Sequence, residues 1–425
     1  MVPGKSRGEE TQILETECDS VTSLLRAAII YGANASGKSN LVKAMQFAQR
    51  IILNGTKAKE AISVSRFKLD SKFRELPSKF EFEFISSDRC YIYGFELDTH
   101  RIHEEWLYEI RKTTEKMLFE RSTDSSDKTV VEFGKLNISN KKRRDFLDFV
   151  AMSTRPNQLF LTESAERNVV EFEGIDHWFR EKLEFIFPDT KCIGLAGVGT
   201  SDEMSSDLVE HLNNLGTGIC GFRLVEVDPE DTFPREMLDD FHRKIENRDT
   251  LISVVASSND TRYLLEYRNG KFQARKLMFR HQMADSKEEA LFSMDEESDG
   301  TRRIMDLLPF LAGMPSSDKV YVIDEIDRSL HPLLSYQLLK LFLSNVSSQS
   351  QLISTTHEIN LLDQKLLRRD EIWFVEKDNN GASHVYSLEE YAPRRDKNIE
   401  RGYLMGRYGA IPVFGDITFE EPGHE

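Results

Sequence analysis

The spacing of apolar positions changes character several times along the chain. Residues 24–31, Leu-Leu-Arg-Ala-Ala-Ile-Ile-Tyr, are an almost unbroken apolar run, as a strand buried on both faces requires. A glycine-bounded loop follows. From Asn40 to Leu53 apolar residues recur every three or four positions, which predicts a helix. Between Phe67 and about Leu118 the period falls to two. Lys79-Phe80-Glu81-Phe82-Glu83-Phe84-Ile85 alternates strictly, and 91–97 and 105–110 do much the same, so antiparallel strands with one wet face are expected. Ser122 to Lys128 reads as a polar turn between two more strands. Residues 141–187 carry a helical pattern that stops at Phe187-Pro188-Asp189. A further helix is predicted over 202–215 and strands over 251–276.

After Glu297 short apolar runs alternate with helical patterns again. Helices are predicted over 302–311 and 333–343, and strands over 319–323, 351–355 and 371–376. The fold class expected is therefore α/β, with a core contributed by both ends of the chain and a large mixed insertion of strands and helices between them. Internal repeats, coiled-coil heptads and low-complexity tracts are absent.

Three strand ends carry residues with chemistry. The first strand runs into Gly32-Ala33-Asn34-Ala35-Ser36-Gly37-Lys38-Ser39 and then Asn40, a full G-x-x-x-x-G-K-[ST] pattern with a helix after it. Glycines let such a loop curl so that backbone N–H groups face a phosphate at the helix N-terminus. Lys38 then reaches the outer phosphates and Ser39 is a ligand for Mg²⁺. The strand 319–323 ends in Asp324-Glu325, placing Asp324 to hold Mg²⁺ and Glu325 to act as general base on a water. The strand 351–355 leads to His357, within reach of a γ-phosphate or that water. A fourth stretch, Glu297-Ser298-Asp299-Gly300-Thr301-Arg302-Arg303, opens a helix. Taken alone it is an N-cap with a turn glycine, but Ser298 and Gly300 could bind a second phosphate by the same helix-terminus physics.

Composition narrows the setting. The 425 residues exceed what one compact core usually holds, so two structural units are expected. A net charge of −16 gives no general support for nucleic-acid binding, which needs positive potential, although Lys141 to Arg144 and Arg394-Arg395 are local basic runs. The four cysteines are scattered with no CxxC pair, and no apolar run nears the roughly 18–20 residues a membrane span needs. A reducing cytoplasm, with no membrane partner, is the expected location. The stretch 402–412 is rich in glycine and aromatics and reads either as a packed tail or as a docking segment.

In this order the motifs resemble the ABC-type P-loop ATPases, a superfamily that includes SMC-like and OLD-like proteins. Ser298-Asp299-Gly300-Thr301 resembles the signature, and Asp327-Arg328-Ser329-Leu330-His331-Pro332 resembles the D-loop, with Asp327 at its head. The stretches 31–39, 297–303, 324–332 and 407–412 together resemble the bacterial AAA15-type ATPases. That resemblance implies ATP and Mg²⁺ as cofactors and a homodimer or higher oligomer, in which the signature of one subunit closes over ATP held by the other. It also implies a place in anti-phage defence, as a sensor or scaffold controlling a separate effector, for example a nuclease of the RloB or TOPRIM kind. Residues 1–60 and 290–425 are expected to form one nucleotide-binding domain, 61–140 its antiparallel β part and 141–289 a helical and mixed insertion.

Members of the group begin with a strand ahead of the stretch matching Val2-Pro3-Gly4-Lys5, which this sequence lacks. No Q-loop glutamine stands out near Ser65 to Leu69, and the 68 residues after His357 are too few for a TOPRIM nuclease domain. The alternative function is an SMC-like ATPase that binds DNA in repair or recombination; the acidity and the lack of heptads speak against it. A transporter subunit is disfavoured by the insertion and the signature.

Overall fold

The computed structural model describes residues 1–4, 12–136, 138, 140–191, 206–245, 251–256, 261–268, 271–284, 288–314, 317–345, 347–391 and 398–412. The Arg394-Arg395 run, Cys192 and the start of the helix expected over 202–215 lie outside the described residues. The chain divides into two compact units. The first comprises Met1–Phe185, Asp318–Ile326 and Gln349–Glu425, the second Ile186–Ser317 and Asp327–Ser348.

Strands are numbered along the chain. The first nine are β1 Ile13–Glu15, β2 Ser23–Leu25, β3 Ala27–Tyr31, β4 Ser78–Ser86, β5 Arg89–Leu97, β6 Ile102–Ile110, β7 Glu115–Thr123, β8 Thr129–Phe133 and β9 Leu183–Ile186. Five follow in the second unit: β10 Ile219–Val227, β11 Leu251–Ala256, β12 Arg262–Arg268, β13 Lys271–Gln282 and β14 Glu289–Phe292. The last four are β15 Val320–Ile323, β16 Gln351–Thr355, β17 Ile372–Lys377 and β18 Ser383–Ser387.

The sheet that carries the site has the order β18-β17-β3-β16-β15-β9. Strand β3 pairs in parallel with both β16 and β17, β15 pairs in parallel with β16, and β18 closes one edge antiparallel to β17. All five residues of β3 are buried, which explains their unbroken apolar run. The single strand expected over 24–31 is in fact two. Leu24 and Leu25 pair antiparallel with β1, and the chain breaks at the buried Arg26 before joining the parallel sheet. Helix α1 (Lys38–Asn54) starts at Gly37 and buries Val42, Ala48, Ile51 and Ile52. It stops at Gly55, whose φ of 63° and N–H to the Ile51 carbonyl form a glycine C-cap.

Strands β4 to β8 form an antiparallel meander in sequence order. Its buried face carries Tyr93, Phe95, Leu107 and Phe119. Phe80 meets Phe47 of α1 at 5.5 Å, and Phe119 meets Phe160 at 4.9 Å. Helix α2 (Lys141–Ser153) begins with the exposed basic run Lys141 to Arg144, and Asn140 caps it. Helix α3 (Phe160–Glu166) has no side-chain cap of its own. The buried Glu105 carboxylate of β6 supplies one, accepting the N–H groups of Phe160 and Leu161 at 2.6 and 3.0 Å. The helical pattern read as far as residue 187 overruns: residues 183–186 are β9, the edge of the central sheet.

In the second unit β10-β13-β12-β11 lie antiparallel, with β14 on β13. Phe233, Leu238, Phe241, Leu265 and Ala274 form a core there. The helix Asp299–Asp306 is fixed by a buried ion pair between Arg262 and Asp306 and by Arg303 donating to the Phe187 carbonyl at 3.0 Å. The helix expected over 302–311 divides at Leu307, where a second helix, Leu308–Gly313, starts with a proline in its first turn. The stretch 402–410 packs rather than hanging free. Tyr403 and Tyr408 stack on Phe374 of β17 at 5.5 and 5.9 Å, and both are buried.

Candidate nucleotide site

The loop after β3 is held open by backbone geometry that few residues tolerate. Ala35 has φ 63° and Gly37 φ 108°. A side chain at Gly32 would meet the Val375 carbonyl and the Ser36 hydroxyl, each at 2.6 Å, so the first glycine answers to crowding and the second to φ. The Ser36 hydroxyl is buried and has no hydrogen-bond partner among the described residues. Lys38 is only 5% exposed, and its ammonium donates to the carbonyls of Gly32 at 2.7 Å and Ala33 at 3.2 Å. Asn34, Ala35 and Asn40 are exposed around it.

Across the sheet, β15 delivers Asp324 and Glu325. Ser39 Oγ donates to Asp324 Oδ1 at 3.2 Å, joining two residues that lie 285 positions apart. Thr355 at the end of β16 braces the same point. Its hydroxyl donates to Asp324 Oδ1 at 2.6 Å and accepts the Glu325 N–H at 2.8 Å. Asp324 and Thr355 are almost wholly buried. Glu325 has φ 51°, a left-handed conformation that costs a non-glycine residue about 1–3 kcal/mol. The Thr355 hydroxyl and carbonyl hold it there through the N–H groups of Glu325 and Ile326. Thr356 donates its N–H to the Ile30 carbonyl of β3, and the exposed His357 follows it.

The second unit carries the other residues singled out in the sequence. Ser298 caps the helix Asp299–Asp306 by accepting the Thr301 N–H at 3.1 Å. Glu297 before it is buried and meets His281 Nε2 at 2.7 Å. Gly300 lies against the turn that starts at Asp327: a side chain at Gly300 would come within 3.2 Å of the Ser329 carbonyl.

Oxygen donors of this kind, a hydroxyl and a carboxylate brought together, suit Mg²⁺. The buried Ser36 hydroxyl, the positive-φ loop and the lysine head inside it suit a polyphosphate. Among the described residues no group of three or more His, Cys, Asp or Glu could hold a metal by itself. Sequence reasoning reached the loop, the acidic pair and His357 through contiguous motifs. It did not reach the brace made by Thr355, nor the contacts of β17 and β18 with the loop. The apolar run 371–376 marks β17 as a strand but not its contact with the loop, and 383–387, Ser-His-Val-Tyr-Ser, carries no clean alternation to mark β18.

The family model described as "AAA domain, putative AbiEii toxin, Type IV TA system" (AAA_21) matches residues 27–196 and 221–363. No curated protein matches the chain by sequence. Among solved structures, an SMC head domain from Thermotoga maritima aligns at 13% identity over 88% of this chain and 97% of its own, with a TM-score of 0.32. An Smc head domain with an extended coiled coil, bound to the C-terminal domain of ScpA derived from Pyrococcus furiosus, aligns at 15% identity over 93% and 98%, with a TM-score of 0.33. Among the described residues no helix is long and apolar enough to cross a membrane.

Proposed function

The chain belongs to the AAA_21 family of P-loop ATPases, and from that premise we propose that it binds ATP with Mg²⁺ at the 32–39 loop and hydrolyses it. The observation that carries this reading is the meeting of Ser39 Oγ and Asp324 Oδ1 at 3.2 Å beside the curled loop. Ser39 and Asp324 hold the metal. Bound there, Mg²⁺ supplies charge neutralisation to the phosphate oxygens. Lys38 exchanges its two loop carbonyls for β- and γ-phosphate oxygens. Gly32, Asn34, Ala35, Ser36, Gly37 and Asn40 shape the cradle. Glu325, strained and braced, polarises the attacking water, and His357 contacts the γ-phosphate or that water. Ser298, Gly300 and Asp327 act in trans, in a homodimer that closes on nucleotide.

The wider role we propose is that of a sensor or scaffold ATPase that controls a separate effector, a RloB- or TOPRIM-type nuclease, in anti-phage defence. Support comes from the motif resemblance over most of the chain. The family description, which names a toxin–antitoxin system, is in keeping with a two-component arrangement. The test is turnover by the wild type and by Glu325→Gln, each co-expressed with its genomic neighbour. Glu325→Gln is expected to lower kcat by about 100-fold or more while ATP affinity stays within about threefold, and the neighbour is expected to co-purify. Unchanged turnover in the variant removes Glu325 as the base; a neighbour that never co-purifies removes the effector.

A further inference from the structure

The nucleotide loop is gripped from outside by a hairpin that no motif marks. Ser383, the first residue of β18, donates its hydroxyl to the Ser36 carbonyl at 2.6 Å. A side chain at Gly37 would come within 2.1 Å of that hydroxyl, and one at Gly32 within 2.6 Å of the Val375 carbonyl on β17. Both glycines of the loop thus abut the β17–β18 hairpin.

A trans peptide unit is planar, so its C=O and N–H point in opposite directions. Holding the Ser36 carbonyl toward Ser383 therefore turns the N–H of Gly37 away from the hairpin. Gly37, at φ 108°, has the freedom to let that plane rotate; the Ser383 bond removes it.

The hairpin is itself firmly seated. Strand β17 is hydrogen-bonded in parallel to β3, the strand that feeds the loop. Phe374 stacks on Tyr403 and Tyr408, and Tyr386 of β18 donates to the Tyr408 carbonyl at 2.9 Å. Ser383 thus projects from a rigid element, which is what a group that positions another needs.

We propose that Ser383 is a positioning residue for the nucleotide loop. It fixes the 36–37 peptide plane so that the Gly37 N–H faces the bound phosphates. This rests on the ATP-binding reading of the loop. Losing one such bond raises the Kd for a fluorescent ATP analogue, and the KM for ATP, about five- to tenfold. It leaves kcat within about twofold, because nothing at Glu325 or Thr355 changes.

The test is equilibrium binding of the analogue and steady-state turnover for the wild type, Ser383→Ala and Ser383→Thr, with thermal melting of each. The expected result is weakened binding in Ser383→Ala, binding restored in Ser383→Thr, and matching melting temperatures. If Ser383→Ala binds as the wild type does, the positioning role is overturned while the ATP reading stands. If Ser383→Ala loses affinity and melting temperature together and Ser383→Thr restores neither, the residue is structural only and the proposal falls. If the wild type binds no nucleotide, the ATP reading fails and takes the proposal with it.

Discussion

Thr355 contacts both members of the acidic pair with one hydroxyl, donating to Asp324 and accepting from the N–H of Glu325. It is fully buried, so no water can stand in for it. Thr355→Val keeps the shape and removes both bonds. We expect kcat to fall about 30-fold, equivalent to roughly 2 kcal/mol, with ATP affinity little changed. Thr355→Ser is expected to recover most of the loss, and steady-state kinetics on the two variants check it. Lys38 is legible in sequence because its partners, the carbonyls of Gly32 and Ala33, are backbone of the same eight-residue loop; Ser39 is legible through that loop's motif, although its own partner, Asp324, lies 285 positions away. The tasks of Thr355 and Ser383 are not legible locally. Each depends on which strand lies beside which, and that is set by pairings across 31 and 347 positions.

At the scale of elements, the turn between β5 and β6 shows how a single carboxylate fixes a hairpin. Asp98 accepts the N–H groups of His100 and Arg101 at 2.6 and 2.9 Å and meets His103 at 2.8 Å. Partial burial pushes its pKa up, but these partners outweigh that and hold it down at about 2. A carboxyl whose pKa is lower in the folded chain stabilises the fold fully above its unfolded value, near 3.9, and that stability is lost as pH falls through about 2. Asp98→Asn is therefore expected to flatten the decline in stability between pH 4 and pH 2, as measured by urea unfolding across that range. Strands such as β4 to β7 were predictable because one face is wet and the period of two shows. Strands β9, β10, β14 and β18 were not, being short or lacking clean alternation. Arg26 interrupted an apolar run that otherwise reads as one strand, because its neighbours serve two different sheets.

For the whole molecule, the residues singled out in sequence fall into two compact units. Residues 32–39, Asp324, Glu325 and His357 lie in one, and Ser298, Gly300 and Asp327 in the other. If ATP closes a dimer, Ser298→Arg is expected to abolish ATP-dependent dimerisation in the Glu325→Gln background. Nucleotide binding by the single subunit should stay within about twofold. Sedimentation velocity with and without ATP reads the first and equilibrium binding the second; a Ser298→Arg protein that still dimerises on ATP excludes the trans arrangement. The sheet order has a consequence in time. Strand β3 is made early, yet its two neighbours, β16 and β17, begin about 320 and 340 residues later. At roughly 5–20 residues per second, a ribosome needs about 15–60 s to deliver the first of them. Throughout that interval this wholly apolar strand, buried along its whole length in the fold, has neither of its edges paired, so a chaperone that holds hydrophobic segments would govern how much of this protein is ever born folded.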